Sequence, residues 1–274
     1  MHTVTDARTA AAAILAYHDE LGIEGDVADM GVDRFAEGEA ATIAREPASH
    51  VHAAAAAEHE GVVAAPAQDD GESAQEIAAR AETLDELRAA LETYRGCSLH
   101  KTATNLCFAS GNPAAKLMFV GEAPGREEDL QGEPFVGRAG QLLDKMLAAI
   151  GQDRTTCYIA NVIYWRPPGN RNPNPEELLA CKPFIRRQIE LVDPDVLVFL
   201  GGVSAKEMLE TTQGILKLRG RWRDFDTGKR TIPAIATLHP AYLLRQPAQK
   251  KLAWKDLRAI RDKLTAVHND QETK

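Results

Sequence analysis

KLMFVGEAPGREEDLQGEPFVGRAG, residues 116–140, begins as one kind of structure and continues as another. Lys116–Val120 is a short apolar run containing branched and aromatic side chains, the composition of a buried strand. The next twenty residues, Gly121–Gly140, hold five glycines, two prolines and seven charged side chains. Such a segment is too glycine-rich for a helix and too polar for a strand, so it predicts an irregular, backbone-exposed loop. It is not a phosphate loop, because no Gly-Lys-Ser/Thr is present and Glu122, Glu127, Glu128 and Asp129 would repel phosphate. Carboxylates grouped at a strand end suit an acid, a base or the stabilisation of a cation.

Working outward, the same apolar texture recurs in CYIANV (157–162), DVLVFLG (195–201) and TIPAIATL (231–238). Helical patterns at 138–150, 175–191, 202–211 and 247–265 separate these runs, and another at 83–94 opens with Thr83 as N-cap and Glu86 three residues on. Strands that alternate with helices, and are apolar throughout, predict a parallel sheet covered on both faces. In such folds the site lies beyond the carboxyl ends of the strands. GEAPG, NVIYWRPPGN and LHPAYLLR all start at or just after strand ends, so three polar segments converge on one rim.

The chain has 274 residues and a net charge of −8, unevenly spread. Residues 1–96 carry 6 Lys and Arg against 20 Asp and Glu, a net of −14; residues 97–274 carry 26 against 20, a net of +6. A polyanionic partner would therefore meet the back half. Ile14, Leu15, Tyr17 and Leu21 place an amphipathic helix at 8–22, within an N-terminal segment taken as 1–36. The Ala-, Glu- and Gly-rich stretch 37–80 has too few large apolar side chains to offset its ordering entropy and is expected to be a disordered acidic linker. The remaining domain is expected over 83–268. No run approaches a membrane span and no secretory signal is evident, so a cytoplasmic protein is expected, with Cys97, Cys107, Cys157 and Cys181 as free thiols.

Individual residues leave alternatives open. Phe135 is either core or a flat surface for a planar ring. Asn161 either caps a loop or offers a donor and an acceptor to a ligand. Arg166 and Arg171, in RPPGNRNPNP, either meet phosphates or belong to a structural turn. Leu243 and Leu244 either wedge into a base stack or lie in the core, and Arg245 opens a basic stretch beside them.

Together, GEAPGREEDLQGEPFVGRAG, YIANVIYWRPPGN and HPAYLLR closely resemble the signature segments of the family 4 uracil-DNA glycosylases. The resemblance runs from about Tyr94 to Leu264. It implies a three-layer α/β/α sandwich on a four-stranded parallel sheet, with an N-terminal helical and disordered extension added here. It implies hydrolysis of the bond between uracil and deoxyribose, leaving an abasic site; the expected partner is uracil-containing DNA, single- or double-stranded, and the chain is expected to act as a monomer without membrane contact. Glu122 and Glu128 would be the acidic catalytic residues, and Asn170 would position water or the sugar. His239 would hydrogen-bond uracil O2. Ala123 would offer backbone to the base, Phe135 would stack on it and Asn161 would read its edge. Arg166, Arg171, Leu243, Leu244 and Arg245 would contact DNA. Other deaminated bases enter as further substrates, because Trp165 alters the loop after Asn161.

Typical members of that family hold a 4Fe–4S cluster on four cysteines. The matching positions here are Tyr94, Cys97, Trp165 and Cys181, so only two ligands remain. Cys107 and Cys157 match apolar positions. The expectation is no cluster, with Tyr94 and Trp165 filling the volume. Two other readings stand beside the enzyme: a non-catalytic damaged-DNA or single-strand binding module, and a nucleotide- or sugar-phosphate enzyme on a generic α/β fold.

Overall fold

The computed structural model describes residues 72–272. The helix expected at 8–22, and the linker before residue 72, lie outside them. The element that decides the topology is β2 (Leu117–Gly121), which pairs in parallel with β3 (Cys157–Asn161) on one side and β4 (Val196–Leu200) on the other. β6 (Thr231–Thr237) extends the parallel set beyond β4. Every residue of β2, β3 and β4 is buried, which explains their unbroken apolar sequences.

Alternate residues supply the two faces. Met118, Val120, Tyr158, Ala160, Leu197 and Phe199 pack with helix side chains Leu87, Leu91, Phe184 and Ile185. Leu117, Phe119, Cys157, Ile159, Val196 and Val198 pack with Leu143, Leu147, Leu257 and Ile260. The first layer is built on α2 (Leu84–Thr93) and α5 (Pro175–Val192), the second on α4 (Arg138–Ala148) and α9 (Lys250–Glu272). Each fully buried Leu or Phe contributes about 1.5–3 kcal/mol, so this core dominates stability. The result is the expected three-layer sandwich.

The sheet is wider than expected. Its order is β1-β3-β2-β4-β6-β5, six strands instead of four. β1 (Ser110–Gly111) and β5 (Trp222–Asp226) pair antiparallel at the two edges. β1 is two residues long, and β5 is largely polar and half exposed, so neither has the apolar signature of the central strands.

Glycine counting misleads at the loop after β2. α3 (Arg126–Gln131) forms inside it, because the glycines flank the helix instead of interrupting it. Gly125 is the N-cap, and Gly132 ends the helix in the left-handed region at φ 73°. A helix also replaces the last part of the expected linker. α1 (Ala74–Arg80) starts with a capping box in which Ser73 Oγ accepts from Glu76 N at 3.2 Å and the Glu76 carboxylate accepts from Ser73 N at 2.9 Å. α6 (Gly202–Met208), α7 (Ile215–Leu218) and α8 (Pro240–Arg245) complete the helices used below.

Strand register sets the functional edge. Gly121 is level with Asn161, Val120 with Phe199, and Leu200 with Thr237. The chain goes from β2 to β3 on one side, then to β4 on the other, so a crevice opens where the order reverses. Among the described residues, no helix is long and apolar enough to cross a membrane.

Candidate active site

A cleft of about 740 Å³ occupies that crevice. Gly121, the last residue of β2, is where its floor comes together. A Cβ there would lie 2.3 Å from Asn161 Oδ1 and 2.6 Å from Phe135 Cζ. Only glycine lets the Asn161 amide and the Phe135 ring approach each other across the strand end.

Asn161 is 1% exposed, and its Oδ1 has no hydrogen-bond partner among the described residues. An unsatisfied buried acceptor costs about 1–3 kcal/mol, so an empty Oδ1 marks a position prepared for a donor. Phe135 is 5% exposed and sits at φ 59°, unusual for a side chain of its size. Its ring lies 5.6 Å from the His239 ring, inclined by 30°.

His239 follows β6 as the N-cap of α8, and its Nδ1 accepts from Ala241 N at 3.1 Å. Burial first, and the nearby Arg245 charge second, lower its pKa to about 4. The ring is therefore neutral at ordinary pH. With Nδ1 acting as acceptor, its one proton is on Nε2, leaving a donor for the cleft it lines. Glu122 is half-buried, and burial raises its carboxyl above the usual range. Ala123 also lines the cleft.

Glu128 lines the cleft too, but its carboxylate is engaged with backbone. One oxygen accepts from Gly125 N at 3.1 Å, the other from Gly137 N at 2.9 Å. It ties both ends of the loop that carries Phe135. Asn170, at φ 52°, lines the cleft with Oδ1 accepting from Arg166 Nε at 2.7 Å.

The residue range around this cleft also matches known proteins. The family model described as the uracil DNA glycosylase superfamily matches residues 108–258. The chain belongs to that superfamily. The Type-4 uracil-DNA glycosylase of Archaeoglobus fulgidus is 42% identical over 184 residues, covering 65% of this chain and 92% of that protein. The one from Thermotoga maritima is 43% identical over 167 residues, covering 61% and 85%, and the one from Sulfurisphaera tokodaii is 38% identical over 186 residues, covering 66% and 84%.

Within this superfamily member, the arginines and leucines expected at DNA part ways. Arg245 is exposed at the cleft mouth, and Leu244 is 38% exposed. Leu243 is 1% exposed and belongs to the core, which removes it as a wedge. Arg171 lines the cleft, yet both arms of its guanidinium donate to Glu177, at 2.9 and 2.6 Å. Arg166 is held by Asn170. Sequence reasoning missed Gly121, Gly140 and Arg154. The first two were visible only as glycines in a glycine-rich run, and Arg154 carried no local signal.

The four positions that match cluster ligands are all buried: Tyr94 9%, Cys97 1%, Trp165 5% and Cys181 0% exposed. The interaction between the neighbouring Cys97 and Cys181 thiols lowers the Cys97 pKa and, together with burial, raises that of Cys181. The Tyr94 ring packs 4.8 Å from Phe184, and Trp165 packs edge-on to Tyr164 at 6.3 Å. A four-iron cluster needs four suitable ligands, usually thiolates. Two thiols and two packed aromatic rings do not fit that requirement. Burial raises Cys107 and Cys157 to about 12, as inert core thiols. Among the described residues, no group of three or more His, Cys, Asp and Glu is placed to hold a metal ion.

Proposed function

We propose that this protein is a uracil-DNA glycosylase, excising uracil from DNA by hydrolysis of the N-glycosidic bond and leaving an abasic site. The observation that carries this reading is the unpaired Asn161 Oδ1 on the cleft floor, beside Phe135. Uracil presents acceptor O4, donor N3–H and acceptor O2 along one edge. An Asn amide complements the first two, and N3–H would give Oδ1 its missing partner. Cytosine has no N3–H and presents a donor at the O4 position, so it would leave buried groups unpaired. The target base must leave the stack to be reached.

The roles follow from the chemistry. As the bond between uracil N1 and C1′ breaks, its electron pair leaves on the base, and the sugar gains oxocarbenium character. Glu122, if ionised, favours the positive sugar. The neutral His239 ring, donating from Nε2, favours the negative O2. Phe135 stacks on the base and Ala123 offers it backbone. Water forms the new bond to C1′, oriented from the Asn170 side, and its proton is released, the base regaining one. Glu128 acts by holding the loop. Arg245 and Leu244 meet the DNA strand at the mouth.

The same reading takes the enzyme to work without an iron–sulfur cluster, since the donor set lacks two thiols. It also takes a single chain to suffice, since one cleft already brings together the base-reading amide, the stacking ring, the histidine and the carboxylate. Four buried free thiols support a reducing, cytoplasmic setting. The uracil edge is the primary specificity; xanthine and hypoxanthine remain comparison substrates. The test is an end-labelled oligonucleotide carrying one uracil, single- and double-stranded, incubated with protein and then cleaved by alkali. Breakage at uracil, with none where thymine or cytosine stands, supports the reading. Intact strands with folded protein bound to them would replace it with the binding module.

A further inference from the structure

α9 leaves the cleft mouth five residues after Arg245. Its inner side is settled: Ala253, Leu257 and Ile260 pack into the second core layer. Its outer side is strongly basic over the first three turns. At about 100° per residue, Lys250, Lys251, Trp254, Lys255 and Arg258 fall within an arc of about 140°. All five are exposed, Trp254 by 41%. Lys250, Trp254 and Arg258 form one row at i, i+4 and i+8, with Lys251 and Lys255 as a second row beside it.

None of these four cations makes an ion pair among the described residues. The acids nearest to them along the helix are engaged elsewhere. Asp256 is buried, pairs with Arg219 and accepts from Thr237 Oγ1 at 2.7 Å; Lys255 acts on it as a nearby charge, without an ion pair. Asp262 pairs with Arg261 at 2.8 Å. Like charges at i and i+4, as in Lys251 and Lys255, weaken a helix, so stability does not account for this face. Four unpaired cations around one exposed indole are the combination that strands of nucleic acid meet: cations for phosphates and a ring for stacking.

We propose that this face of α9 holds the DNA flanking the target nucleotide, its cations on the phosphodiester backbone and Trp254 against a base or sugar. The proposal rests on the uracil-DNA glycosylase reading and extends the footprint beyond the cleft. Lys250 to Arg258 rises about 12 Å along the axis. That is roughly three to four base-pair steps of a duplex.

The test compares the full chain with the triple variant Lys251→Gln, Lys255→Gln, Arg258→Gln, and separately with Trp254→Ala, by kcat and KM for uracil excision across a salt series. Oligonucleotides of about 20 nucleotides are used, single-stranded and duplex. The triple variant is expected to keep kcat within about twofold and to raise KM about tenfold or more at low salt. Its salt dependence on duplex should be shallower by about two to three in log–log slope, as expected for losing that many phosphate contacts. Substrate cut to two nucleotides beyond uracil on the α9 side should remove the difference between the two proteins. Trp254→Ala should raise KM without changing kcat; a rise confined to single strands assigns the ring to a base, and an equal rise on both assigns it to a sugar. Unchanged KM and salt slope in both variants, with wild type active, would overturn the proposal, as would a loss of kcat alone. A wild type inactive on every uracil substrate would instead overturn the glycosylase reading.

Discussion

Arg154 donates from its guanidinium to the main-chain oxygen of Phe135, nineteen residues before it. The same side chain reaches Ser110 Oγ at 2.8 Å, Pro134 O at 3.3 Å and Asp144 Oδ1 at 2.8 Å. It thus fastens the strained peptide beneath the stacking ring to the edge strand and to α4. Gly140 completes the clamp from the other side, since a Cβ there would lie 1.6 Å from the Phe135 oxygen.

Left-handed backbone at a phenylalanine costs roughly 1–2 kcal/mol, which the clamp must offset. Arg154→Ala is expected to lower kcat/KM for uracil excision by about tenfold or more. In a Phe135→Ala background the same change should add little, because the ring it positions is gone. Additive losses in that double-mutant cycle would show that Arg154 acts on something other than Phe135.

Asn161→Ala is expected to separate activity from stability. Losing the amide's contacts to O4 and N3–H should lower kcat/KM by about 10²–10³ or more. The free protein should melt at or near the wild-type temperature, because Oδ1 makes no bond to lose and truncation removes an unsatisfied acceptor. A large fall in melting temperature would return Asn161 to a structural role.

Glu122 is raised by burial, so its ionisation should appear as an acid limb in kcat centred above the ordinary carboxylate value. Glu122→Gln should lower kcat at neutral pH by about 10² or more and abolish that limb. A pH profile of unchanged shape in the variant would assign the limb to another group.

His239 links stability to pH. Its folded pKa, about 4, lies below the unfolded value of 6.5. The unfolded chain therefore takes up the proton first, and stability falls as pH drops from 6.5 towards 4. The slope is about 1.4 kcal/mol per pH unit, levelling below 4. Denaturant titrations of wild type and His239→Gln should differ by this slope in that window and run parallel above pH 7. A constant difference throughout would mean that His239 does not titrate there.

Protein purified without oxygen is expected to contain no stoichiometric iron and no absorbance near 400 nm. Under denaturing conditions it should titrate four thiols per chain. Tyr94→Cys together with Trp165→Cys would restore the donor count; iron binding in that variant alone would show that the aromatic pair is what excludes the cluster.

Much of this architecture is legible in the sequence. The four central strands read clearly because both of their faces are covered, so apolar side chains run without interruption. The converging loops followed from the parallel topology, and Glu122, Phe135, Asn161 and His239 from motif resemblance. What stayed hidden depends on pairing across long separations. Glu128 looked like Glu122 in sequence, and only its bonds to Gly125 and Gly137 distinguish a loop brace from a half-buried acid. Leu243 and Leu244 are adjacent, and the turn of α8 alone decides which one faces the core. Arg171 has a partner, Glu177, that is set by the α5 cap and not by the local run of sequence around the arginine.

The two strands that composition concealed are also the two borders of the sheet. β1 offers only two residues for pairing, and β5 carries Arg223, Asp224 and Asp226 along its length. The strongly apolar strands β2 and β4 are flanked on both sides by parallel strands, and β3 is covered on its outer side by β1 at Tyr158 and Ile159. A short border and a charged one are the devices that keep sheets from joining edge to edge. The weak strand signal that made β1 and β5 hard to find is thus what guards the folded chain against assembling into fibres through its own sheet.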